Sequence, residues 1–138
     1  MFNASVSHWY DVSNTTLKAG FNPAKAEVIA GPWLIPQNLY LKHISVSAQD
    51  GGPINNAITF KVFTATQAGW VTNTINSLSL FVTLTASAAN TPLTAYANTP
   101  SNTPITISGG DVLGVQMEPS NVTGSMNQLS VQLWCEEV

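Results

Sequence analysis

The chain has 138 residues, of which 44% are hydrophobic and only 8% charged, against roughly 25% charged in an average soluble domain. One core of this size can bury about two thirds of the unfolded surface, so neither disulfides nor a structural metal is needed and two separate domains are not expected. Four Lys, no Arg, seven acids and a net charge of −3 cannot neutralise a run of phosphates, which excludes nucleic acid as a partner. No apolar run approaches the ~20 residues of a membrane span, so no membrane partner is expected either.

Polarity is carried instead by 15 Thr, 13 Ser, 13 Asn and 6 Gln. Residues 1–30 show weak alternation yet hold Phe2, Trp9, Tyr10 and Phe21 together with four of the 11 charges. They are read as an N-terminal arm or edge segment, with residues 31–138 as the folded domain. An arm with that apolar load is expected to dock on a partner, through those four aromatics. It has neither the basic start nor the apolar core of a secretory signal, and the chain begins at Met, so synthesis in the cytoplasm is expected.

Two-residue alternation then recurs along the chain, while the three- and four-residue spacing of helices does not. Leu39 to Ala48 reads as a strand whose phase slips near His43, the mark of a bulge. Ile58 to Thr64 places Ile58, Phe60 and Val62 inward and Phe63 outward. Gln67–Trp70 reads as a turn. Leu78 to Ala86 places Leu78, Leu80, Val82 and Leu84 on one face and Phe81 on the other. Asn-Thr-Pro occurs at Asn90, Asn98 and Asn102, and the three prolines mark loops or edges because they lack an N–H for a ladder. Leu129, Val131, Leu133 and Cys135 form the inward face of the closing strand. Short strands separated by Gly, Pro and Asn turns predict an all-β antiparallel sandwich or jelly roll.

Groups for catalysis are few: two His, three Asp, four Glu and one Cys. His43 lies mid-strand without an acid beside it, and His8 sits among aromatics on which it can stack. Asp50 and Asp111 occupy Gly-rich turns, where carboxylates commonly cap backbone N–H groups. Cys135 falls on an apolar phase, where a thiol is buried and protonated. No nucleophile elbow, phosphate loop or metal-ligand spacing is present. The chain therefore reads as a non-enzyme without metal or cofactor. Its low charge implies covered surface, and Phe63 and Phe81 are the outward aromatics expected to stack against symmetry mates. Trp33, Trp70 and Tyr96 lie in or beside loop-like segments and are candidates for stacking on sugars.

Ile105-Thr106-Ile107-Ser108-Gly109-Gly110-Asp111-Val112-Leu113-Gly114-Val115 resembles the late hairpin of tumour necrosis factor-like jelly rolls. Gly31 to Pro36, Ile44 to Ala48 and Phe60 to Phe63 resemble the opening strands of that fold as found in small phage structural proteins. The resemblance covers residues 30–138 and implies a homotrimer. It also implies a virion structural protein: a decoration or cement protein on the surface of the phage head, synthesised in the host cytoplasm, whose partners are itself and the major capsid protein or another virion protein. The alternative that it implies is the carbohydrate-binding, receptor-binding head of a tail fibre.

Overall fold

The structure, a computed structural model, describes residues 2–11, 27–51, 57–72, 74–85, 91–119 and 125–138. Among the described residues, nine strands and one short helix follow in the order β1 (Phe2–Asp11), β2 (Glu27–Leu34), β3 (Leu39–Gly51), β4 (Ile58–Ala65), α1 (Gln67–Val71), β5 (Asn76–Leu84), β6 (Thr91–Asn98), β7 (Ile105–Ile107), β8 (Val112–Pro119) and β9 (Ser125–Glu137). All pairings are antiparallel. The larger sheet has the order β1-β9-β3-β6, with β7 continuing beside β3 where β6 ends, and the smaller sheet has the order β2-β8-β4-β5. Early strands pair with late ones: β1 and β3 flank β9, and β2 lies on β8. This winding is an antiparallel jelly-roll sandwich, the fold class expected from the alternation.

The period-two faces meet between the sheets. From the smaller sheet come Ile58, Phe60, Val62, Leu80, Val82, Leu84, Leu113, Val115 and Met117; from the larger come Leu39, Leu41, Ile44, Val46, Leu129, Val131, Leu133 and Cys135. The slip read at His43 is a bulge: Leu41 pairs with Cys135 and His43 with Trp134, leaving Lys42 as the extra residue. Leu41 and Ile44 both reach the core because of it. Pro92 is the second residue of β6, the edge of its sheet, while Pro100 and Pro104 fall between β6 and β7. Phe2, Trp9 and Tyr10 lie on β1, whose backbone pairs with β9 from Phe2 beside Cys135 to Asp11 beside Ser125. Phe21 lies outside the described residues.

Four local readings are corrected by the structure. Gln67–Trp70 is not a bare turn but most of α1, because Thr66 caps it: the Thr66 Oγ1 accepts the Gly69 N–H at 2.9 Å. Ile105–Val115 is not a hairpin, since β7 pairs with β3 and β8 with β2 and β4, in the opposite sheet. The chain changes layer at Gly110, whose φ of +90° suits glycine. There the Gly110 N–H donates to the Ile35 carbonyl at 2.7 Å and the Ile35 N–H to the Asp111 carbonyl at 2.9 Å. A backbone N–H in this turn, that of Gly109, is capped by Asn38 Oδ1 at 2.8 Å. Tyr96 belongs to a strand, not a loop, and β3 runs on to Gly51, so Asp50 is a strand residue with its backbone opposite Asn127.

Candidate functional surfaces

Three adjacent strands of the larger sheet, β9, β3 and β6, align on its outer face. Register places Trp134, His43 and Asn98 in one row across β9, β3 and β6, and Gln132, Ser45 and Tyr96 in the next. A third row holds Ser130, Ser47 and Thr94. His43 Nδ1 donates to Asn98 Oδ1 at 2.6 Å, and the His43 ring stacks on Tyr96 with centroids 5.9 Å apart. Tyr96 is 71% exposed and Trp134 36%. At one end, Lys42 lies 3.5 Å from Glu136 and 5.5 Å from the Tyr40 ring centroid. The charges of that pair cancel within the face, so hydroxyls, amides and aromatic rings define its chemistry.

The outer side of the smaller sheet is different. Phe63 faces outward from β4, as alternation requires, but it is fully buried rather than exposed. Trp70 of α1 lies over it almost parallel, centroids 5.7 Å apart and planes 9° apart. The ring fits because Gly114 stands opposite it on β8; a Cβ there would lie 2.6 Å from Phe63 Cζ. As an exposed interface aromatic, Phe63 is therefore corrected: Trp70 of α1, seven residues further along, covers it. Phe81, on β5, is 52% exposed. Leu34 on β2 and Val71 on α1 are the other large apolar side chains left open on this side. Lys61, opposite Phe81, reaches the other way to Glu118 Oε2 at 2.8 Å.

Of the three sugar-stacking candidates, only Tyr96 presents its ring. Trp33 packs against the core and Trp70 covers Phe63. Trp134 and the His43–Asn98 pair were not among the sequence candidates; the outward phase of the closing strand was the available signal for Trp134. Cys135 is fully buried, and burial pushes its thiol up to about 11. Among the described residues, no three His, Cys, Asp or Glu side chains are grouped as metal ligands, and no helix is long and apolar enough to cross a membrane.

No protein-family description matches the sequence, and no curated protein matches it. A solved structure of Eiger TNF from S. frugiperda is similar over 75% of this chain and 63% of that one, at 12% identity and a TM-score of 0.46. The chain thus spans less than two thirds of that structure's length.

Proposed function

We propose that this chain is a non-enzymatic virion structural protein, a decoration or cement protein that assembles as a trimer on the surface of the phage head. The observation that carries the reading is the outer side of the smaller sheet, where Phe81, Leu34 and Val71 stand 52%, 61% and 81% exposed on a chain with 8% charged residues. A chain with so few charges relies on covered surface for solubility, and closed cyclic symmetry covers one patch with another copy of the same chain. The major capsid protein or another virion protein is the second partner. Among the described residues, several side chains that catalysis could use are engaged elsewhere: His43 with Asn98 and Tyr96, Lys61 with Glu118, Lys42 with Glu136, and Cys135 in the core.

Sedimentation equilibrium of the full chain at micromolar concentration tests the assembly. The expected mass is a multiple of three chains, lowered by Phe81→Lys. Immunogold electron microscopy of intact phage particles tests the location, with label expected on the head. A monomer that leaves the particles unlabelled, or label confined to the tail fibres, refutes the reading.

A further inference from the structure

We infer that the outer face of the larger sheet is a binding site for a neutral oligosaccharide, with Trp134 and the stacked His43–Tyr96 pair as its aromatic contacts. The site is separate from the smaller-sheet side used above and does not depend on the trimer. Three observations converge on this ligand class.

The first is aromatic placement. Trp134 and Tyr96 are two strands and two residues apart, which puts their backbones about 12 Å from each other at ordinary strand spacings. His43 stands beside Trp134 in the same row, and its ring stacks on Tyr96. This span is longer than one sugar ring, so it suits a chain of sugars rather than a monosaccharide. The apolar C–H faces of successive sugars can lie on successive rings.

The second is the polar floor. Ser45, Ser47 and Ser130 are half-buried between the rows, while Gln132 and Asn98 stand at the sides. A second protein surface laid on this face would leave hydroxyls and amides without partners wherever it was apolar, and each such group is costly to bury. A sugar supplies a hydroxyl, both donor and acceptor, at nearly every carbon. Asn98 is also held in place by His43, because its Oδ1 accepts from that ring, which leaves its amide N–H₂ as the donor group for a ligand.

The third is charge. Among the described residues, the Lys on this face, Lys42, is paired with Glu136. There an anionic glycan, with a sialic acid or sulfate, would find its cation already compensated and would meet the Glu136 carboxylate. The face selects for neutral sugars.

A glycan array of neutral and sialylated oligosaccharides, probed with the full chain, is the test. Neutral oligosaccharides of three or more sugars are expected to bind, and their sialylated forms to bind no better. In titration calorimetry with the best neutral oligosaccharide, Tyr96→Ala and Trp134→Ala each weaken binding by roughly tenfold, while Tyr96→Phe, which keeps the ring, retains it. Phe81→Lys leaves sugar binding unchanged, so a failure of the assembly reading is seen apart from a failure of this one. No binding to any neutral oligosaccharide, or binding that survives both alanine variants, overturns the inference. So does a fall in sedimenting mass caused by Tyr96→Ala, which would assign the face to a second copy of the chain.

Discussion

Gly114→Ala is the sharpest probe of how the smaller sheet hides Phe63. An alanine Cβ at this position would sit 2.6 Å and 2.7 Å from Phe63 Cζ and Cε1 and 2.9 Å from the Ala30 carbonyl oxygen. Carbon atoms in contact prefer about 3.5–4.0 Å. The Phe63 ring cannot simply lift away, because Trp70 lies on it and the ring has no exposed surface. Overpacking of this kind costs about 1–3 kcal/mol, and the stiffer unfolded chain of an alanine variant offsets about 0.4–1 kcal/mol of that. At 138 residues, each kcal/mol moves Tm by about 3–4 °C, so a fall of roughly 2–8 °C is expected by calorimetry. Phe63→Leu removes the two ring atoms in question, so the same alanine in that background should cost about 1 kcal/mol less. An equal loss in both backgrounds would refute the reasoning, since the ring would then not be the obstacle. The outcome bears on function as well: a ring held between Gly114 and Trp70 is part of the fold and is not free to meet a partner.

Replacing Thr66 by Ala removes the side-chain acceptor for the Gly69 N–H and should cost about 0.5–1 kcal/mol while uncovering Phe63. Near-UV circular dichroism should lose Trp70 signal with the far-UV spectrum unchanged, and an unchanged near-UV spectrum would mean that the cap does not hold α1. The Cys135 thiol is pushed up to about 11 from an ordinary value of 9.0, so the native chain keeps its proton where the unfolded chain has lost it. Its contribution is fully present below pH 9 and declines as pH rises from 9 to 11, by at most about 1.4 kcal/mol per pH unit. Denaturant midpoints across that range, compared with Cys135→Ala, check the sign. A thiol-specific reagent should label Cys135 only after unfolding.

Which side chains face the core follows from local order along the chain. Leu80, Val82 and Leu84, or Leu129 to Cys135, alternate because successive residues of an extended strand point to opposite faces. A sequence that buries one face must repeat every two residues. The bulge at Lys42 was legible for the same reason, since one extra residue reverses the phase. Partners across the sheets are not written locally. That β7 and β8 separate into different layers depends on Gly110, Ile35 and Asn38 meeting at one corner, and these positions are remote in sequence. Phe63 has the outward phase of an exposed residue, yet it is buried because α1 folds back over the strand that precedes it. Trp134, His43, Asn98 and Tyr96 show no common pattern in the sequence. They form one surface only because β9 and β6 both pair with β3, and strand register, a property of long-range hydrogen bonding and burial, brings residues from the middle and the end of the chain into adjacent rows.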